Sequence, residues 1–206
     1  MHTIIRCRGR HRACHQGTYA ITCLENGLNE RECGKNDSFK EPFKLSKKRL
    51  SAALEYIASQ EGLHDVVVSG GDAYYLPPHV LAWIGDALID LPNIKRFRFA
   101  SRGLAVAPQR FIDPNDQWAS TLINVAAKAR QAGKHVALHT HFNHPNEISW
   151  VTEKASLRLL KEGLTVRNQS VLLRGINDNV KTMGTLIHKL ADMVVHPVST
   201  GFSYIC

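Results

Sequence analysis

From Ser46 onward the apolar positions alternate between two periods. Leu50, Ala53, Leu54 and Ile57 recur at i, i+3, i+4 and i+7, which is one face of a helix, and Ser46 can cap it. Gly62 follows, and Asp65-Val66-Val67-Val68 then reads as a short buried strand that ends in the turn Ser69-Gly70-Gly71-Asp72. The same unit recurs down the chain. Pro78 opens a helix with Val80, Trp83, Ile84, Ala87 and Leu88 inward, stopped near Pro92. Lys95 to Ala100 is the next strand, followed by Ser101-Arg102-Gly103. Residues 116–132 form a helix through Trp118, Leu122, Val125, Ala126 and Ala129, closed by Gly133. His135 to Leu138 is a third strand and runs into His139-Thr140-His141-Phe142-Asn143-His144. A helix over 150–162 with Gly163 as its C-cap leads to a fourth strand within Leu164 to Leu173, with Asn168-Gln169-Ser170 near its middle or end. Val180, Met183, Ile187 and Leu190 give a last helical face, and Val194 to Val198 a fifth strand.

The polar clusters that begin at Ser69, Ser101, His139 and Asn168 are 32, 38 and 29 residues apart. That is the spacing of successive βα units, which build a parallel sheet through right-handed crossovers. Each cluster falls at or near the C-terminal end of a strand, the edge that carries chemistry in parallel α/β folds. The pattern fits an arc of a barrel and an open doubly wound sheet equally. About five units do not close an eight-stranded barrel. Residues 1–44 show no sustained period and read as an irregular, basic, Cys-containing leader. Residues 45–193 read as the folded core, and 194–206 as an atypical tail.

Composition narrows the class. The chain has 206 residues, 44% hydrophobic and 21% charged, which suits one ordinary globular domain. No apolar run approaches the roughly 18 residues needed to span a bilayer, so no membrane partner is expected. The net charge of +8 is concentrated in residues 1–50, which carry +6, against +2 for the rest. Arg6, Arg8, Arg10 and Arg12 lack interleaved aromatics and any nucleic-acid-binding motif, so no nucleic-acid partner is expected. The leader has no apolar h-region, so a cytoplasmic location is expected, with a mitochondrial one as the alternative raised by the arginines. Cys7, Cys14, Cys23, Cys33 and Cys206 are an odd set, and the leader spacings match neither zinc pairs nor a standard iron–sulfur motif. No metal ligands are assigned.

The candidate chemistry lies in the strand-end turns. Two glycines after a Val-rich strand let backbone N–H groups approach a ligand closely at Gly70 and Gly71. Asp72 can accept from an amine or hydroxyl, or can simply cap the next turn. His139, His141 and His144 invite a metal assignment, but hydrogen-bonded histidines at a strand end fit their spacing better. Arg102 and Arg174 suit a carboxylate or phosphate, or are solvated surface arginines. Gln169 beside Asn168 offers donors and acceptors, or the two form a pair held by backbone groups. No dinucleotide fingerprint, P-loop or serine-nucleophile motif is present.

The strings carrying these turns resemble the lysine 2,3-aminomutase family of the radical S-adenosylmethionine superfamily. They are Val67-Val68-Ser69-Gly70-Gly71-Asp72, then Ala100-Ser101-Arg102 with Pro108-Gln109-Arg110. Thr140-His141-Phe142-Asn143-His144-Pro145-Asn146-Glu147 follows, and then Asn168-Gln169-Ser170 through Arg174-Gly175-Ile176-Asn177-Asp178. The resemblance covers roughly residues 45–193. It implies a partial TIM-like (βα) barrel, an amino-acid substrate, and three cofactors: a 4Fe-4S cluster, S-adenosylmethionine and pyridoxal phosphate. It implies amino-group migration started by a 5′-deoxyadenosyl radical, with the hard chemistry supplied by the cofactors. By the same resemblance Ser69, Gly70, Gly71 and Asp72 line the S-adenosylmethionine end, His141 and Gln169 contact that cofactor, and Arg102 and Asn143 form the pocket wall. A homo-oligomer is compatible with it.

The chain departs from the family pattern in four respects. The family's C-x3-C-x2-C cluster motif is not found among its cysteines, and no pyridoxal lysine in a Gly-rich segment follows the barrel. Lys181 and Lys189 sit on a helical pattern and do not replace it. Asn179 stands where some members have a zinc-binding Cys. Val194 to Cys206 does not look like the family's Tyr-rich strand. The expectation is therefore a family core, truncated or misassembled at both ends, that does not complete the chemistry as an isolated chain. The alternatives are a non-catalytic relic or S-adenosylmethionine-binding module, and a metal-independent enzyme using His141 and Asp72 as acid and base.

Overall fold

A computed structural model describes residues 2–3, 17–18, 47–69 and 72–201, with side chains described for 49–69 and 72–198. The leader cysteines, Cys206, Ser46, Gly70 and Gly71 lie outside the described residues. Seven strands form one sheet in the order β2-β1-β3-β4-β5-β6-β7, and every adjacent pair is parallel. The first two, β1 (His2–Thr3) and β2 (Gly17–Thr18), are brief and lie beside β3 (Asp65–Val68). The others are β4 (Arg96–Ala100), β5 (His135–Thr140), β6 (Thr165–Val171) and β7 (His196–Gly201).

Between them run α1 (Lys47–Ser59) before β3, α2 (Pro78–Asp90), α3 (Gly103–Val106), α4 (Gln117–Gln131), α5 (Trp150–Lys161) and α6 (Val180–Asp192). From β3 to β7 spatial order equals chain order, with no reversal. A doubly wound sheet needs a reversal to put helices on both faces. A monotonic order with right-handed crossovers keeps the helices on one side, which is the arc of a barrel. The fold is thus an all-parallel α/β arc of the TIM-like type, and the ambiguity left by spacing alone is resolved.

Strand alternation sorts the two faces. Val66, Val68, Phe97, Phe99, Val136, Leu138 and Val166 face the helices and join one buried core with Leu81, Ile84, Leu88, Trp118 and Leu122. Burying each large side chain contributes about 1.5–3 kcal/mol. Gly85 lets α2 and α4 approach closely, since a Cβ there would lie 2.5 Å from Val125 Cγ1. Helix termini are fixed by side chains: Asp116 accepts from Trp118 N, Ser149 and Thr152 form a capping box, and Asn179 accepts from Thr182 N.

Three details differ from the sequence pattern. β5 continues to Thr140, two residues beyond the expected Leu138, because Thr140 still pairs with Asn168. The buried stripe of α6 is Met183, Leu186 and Leu190, whereas Ile187 is half-exposed and Val180 is 91% exposed. One position of rotation gives an equally apolar face, and only the sheet decides between them. In α2 the inward face also includes Leu81 and Gly85.

Candidate functional site

The loops after β3, β4, β5 and β6 all leave the same edge of the sheet, because parallel strands end on one side. They are stitched together by side-chain bonds to backbone. Asp72 closes the first junction. Its Oδ1 accepts from Tyr74 N at 2.8 Å, capping a 3-10 turn at Ala73–Tyr75, and its Oδ2 accepts from Arg102 N at 2.9 Å. One carboxylate therefore joins the end of β3 to the end of β4. Each oxygen keeps a second lone pair.

Behind that turn sits an aromatic box. Tyr74 stacks on Phe111 at 5.3 Å and meets Trp118 edge-on at 5.1 Å, with the Arg110 guanidinium 4.7 Å from the Tyr74 ring. Tyr74 Oη donates to Ala107 O at 2.6 Å, and Trp118 Nε1 donates to Ala73 O at 3.2 Å. Burial pushes the Tyr74 phenol well above its ordinary range, with Arg110 opposing, so it stays a donor. Arg110 also donates to Asp116 and to Tyr74 O.

The second junction joins β4 to β5. Arg102 is half-exposed and its Nη2 lies 4.0 Å from Glu147 Oε2, while both Glu147 oxygens lie 3.4 Å from Asn143 N. The pair is partly solvated and contributes at most about 1 kcal/mol.

The third junction joins β5 to β6 and is the most heavily bonded. Asn168, 1% exposed, accepts from Phe142 N at 2.7 Å and donates to Phe142 O at 3.1 Å and to Ser170 Oγ at 2.8 Å. Asn143 Oδ1 accepts from Val171 N at 2.9 Å. Asn177, fully buried, accepts from Leu173 N and donates to Asn143 O at 2.7 Å and Val171 O at 2.9 Å. Three asparagines thus hold the Thr140–Glu147 and Asn168–Asn177 segments in one register.

The expected site residues separate into supports and exposed groups. Asp72 and Asn143 hold backbone, as does Asn168, whose partner in the sequence points the other way. Gln169 is exposed on the opposite face of β6, and its amide makes no hydrogen bond among the described residues. His141 Nε2 lies 3.0 Å from Asn143 Oδ1. That oxygen can only accept, so the imidazole donates from Nε2. Ser69 is half-buried at the end of β3. Arg174 is exposed. His144 Nδ1 accepts from Asn146 N at 3.2 Å and caps a turn at Pro145–Glu147. Among the described residues no group of three His, Cys, Asp or Glu side chains could hold a metal ion. Asn177, Glu147 and Tyr74 carry no sequence signal of a site role beyond the quoted strings that hold the first two. Asn177 stands in the quoted Gly-Ile-Asn-Asp string, but only the fold shows that it reaches back four to six residues.

No described helix is long and apolar enough to cross a membrane. No protein-family model matches the chain. Among curated proteins it is 39% identical over 149 residues to the L-lysine 2,3-aminomutase of Clostridium subterminale, covering 72% of this chain and 33% of that one. It is 35% identical over 152 residues to the L-lysine 2,3-aminomutase of Escherichia coli K12, covering 74% and 42%. It is 34% identical over 167 residues to the glutamate 2,3-aminomutase of Clostridioides difficile, covering 81% and 36%. The chain spans about two fifths or less of the length of these relatives. With that much identity over about three quarters of this chain, and a parallel arc whose strand-end loops carry the resembling strings, the chain is homologous to these lysine and glutamate 2,3-aminomutases and consistent with their family.

Proposed function

We propose that the strand-end loops described above hold S-adenosylmethionine, in an enzyme that moves an amino group between adjacent carbons of an amino acid. The observation that supports this reading is the direct bonding of the β3, β4, β5 and β6 loops into one edge, with Gln169 exposed there. In it, the backbone at Ser69, Gly70 and Gly71 receives the amino-acid end of the ligand. Gln169 offers an amide donor and acceptor, and His141 presents an imidazole oriented by Asn143. Arg102 and Asn143 form the wall. Asp72 acts chiefly as a brace that sets the turn. S-adenosylmethionine held there would supply, on one-electron reduction by the family's reduced 4Fe-4S cluster, methionine and a 5′-deoxyadenosyl radical able to remove hydrogen from the substrate.

The other two cofactors of the family fit these residues poorly. None of the described residues is a cysteine, and the cysteine spacings of the whole chain do not match a three-thiolate cluster motif. Lys189, whose Nζ lies 3.5 Å from Pro145 O, and the exposed Lys181 both sit on α6 and not in a Gly-rich segment, so neither matches the family's Schiff-base lysine.

Calorimetric titration of the full chain with S-adenosylmethionine tests the reading. Saturable one-to-one binding is expected, weakened tenfold or more by Gln169→Ala with an unchanged melting temperature. Equal affinity in Gln169→Ala would refute it. Lysine and glutamate are the substrate classes to assay first, in the intact enzyme, because relatives bearing both names match the chain.

A further inference from the structure

The face of the sheet turned away from the helices carries a charge imbalance that the loop edge does not use. Alternation puts Arg96, Arg98, His135, Thr165 and Arg167 on it, opposite to Phe97, Phe99, Val136 and Val166 in the core. The register brings them together. Arg96 pairs with His135, Arg98 with Ala137, Ala137 with Thr165, and His139 with Arg167. Small Ala137 is therefore ringed by these side chains, with β4 and β6 about 10 Å apart across two strand spacings.

One carboxylate serves this group. Asp65 Oδ2 accepts from Arg96 Nε at 2.8 Å and from Arg98 Nη2 at 3.0 Å. Arg98 is 7% exposed, and its Nε is buried with no hydrogen-bond partner among the described residues. Arg167 has no ion pair among the described residues. His135 Nε2 lies 3.2 Å from Thr165 Oγ1. Among the described residues, three guanidinium groups against one carboxylate leave a surplus of two positive charges. Burial lowers the Arg98 pKa against the opposing Asp65 carboxylate, and Arg167 and Arg96 lower it further, so the like charges are close enough to repel. Clustered like charge is costly unless an anion answers it.

We infer that this lumenal face, below the loop edge, is a binding site for a phosphate dianion, free or as a small monoester. Two charges match the surplus. Guanidinium forks arriving from β4 and β6 on either side, with the Thr165 hydroxyl, suit an ion with several oxygens better than a planar carboxylate, which one fork satisfies. This inference does not depend on the reading of the loop edge.

The test is calorimetry on the full chain with inorganic phosphate and with glycerol 3-phosphate, at constant ionic strength set by chloride and with acetate as the comparison. Phosphate is expected to bind saturably, and Arg167→Gln to weaken it tenfold or more while the phosphate-free melting temperature stays within a degree. Arg167→Lys, which keeps the charge and loses the fork, is expected to fall between them and serves if the glutamine variant fails to fold. Equal affinities for the two ligands identify free phosphate; tighter glycerol 3-phosphate binding identifies a monoester. Binding no better than acetate, or unchanged in both Arg167 variants, overturns the inference.

Discussion

Removing the Asp72 carboxylate separates a brace from a ligand contact. Each of its two bonds runs from a backbone N–H to a carboxylate, at 2.8 and 2.9 Å. Such charge-assisted bonds contribute about 1.5–3 kcal/mol each when buried. Asp72 is only half-buried, so Asp72→Ala is expected to cost about 2–4 kcal/mol in total. Asp72→Asn is the sharper variant. An amide has one acceptor oxygen, and its NH2 would face a second N–H donor, so about half the loss is expected, roughly 1–2 kcal/mol. Urea unfolding followed by far-ultraviolet circular dichroism reads this directly. With a slope of about 2 kcal/mol/M, the alanine variant shifts the midpoint by about 1–2 M. If both variants unfold at the wild-type midpoint while S-adenosylmethionine affinity collapses, Asp72 is a ligand contact and the brace argument is wrong.

Asn168→Ala strands the Phe142 N–H in the interior and leaves Phe142 O only its bond from Ser170 Oγ, and about 1–3 kcal/mol of stability is expected to be lost in the same unfolding assay. Tyr74→Phe removes the donor to Ala107 O but keeps both ring contacts, so a loss of about 1–2 kcal/mol is expected, with the near-ultraviolet spectrum otherwise native. Burial, together with Arg167 and Arg96, holds the His135 pKa below its ordinary 6.5. The unfolded chain therefore binds a proton first as pH falls. Stability contributed by neutral His135 is full above about pH 6.5 and declines below it until the folded pKa is crossed. His135→Asn is expected to flatten the melting temperature between pH 7 and pH 5, and an unchanged slope would count against the assignment.

Much of this arrangement is written in the local pattern. The periods of 2 and 3.6 locate the strands and most helices, because Val66, Phe97, Val136 and Val166 must be apolar wherever a strand faces packed helices. The registers are less visible. In α6 Val180, Met183, Ile187 and Leu190 form as good a stripe as Met183, Leu186 and Leu190, and the choice belongs to the sheet beneath. The site divides along the same line. His141 and Gln169 stand out by type and by resemblance. That Asp72 reaches across to the Arg102 backbone is a contact over thirty residues, which no local period encodes. Asn177 looks like a loop asparagine until the Val171 and Asn143 carbonyls fold back over it. The lumenal arginines are similarly silent: Arg98 and Arg167 lie on non-adjacent strands, and only the register brings them into one field.

Photoaffinity labelling of the full chain with an azido derivative of S-adenosylmethionine, followed by peptide mapping, bears most directly on the loop edge as the ligand site. Adducts should fall within residues 69–75, 139–147 and 168–175, and excess unlabelled S-adenosylmethionine should suppress all three together. Labelling confined to the outer helices, or to one of these loops with the others untouched, would contradict a shared site.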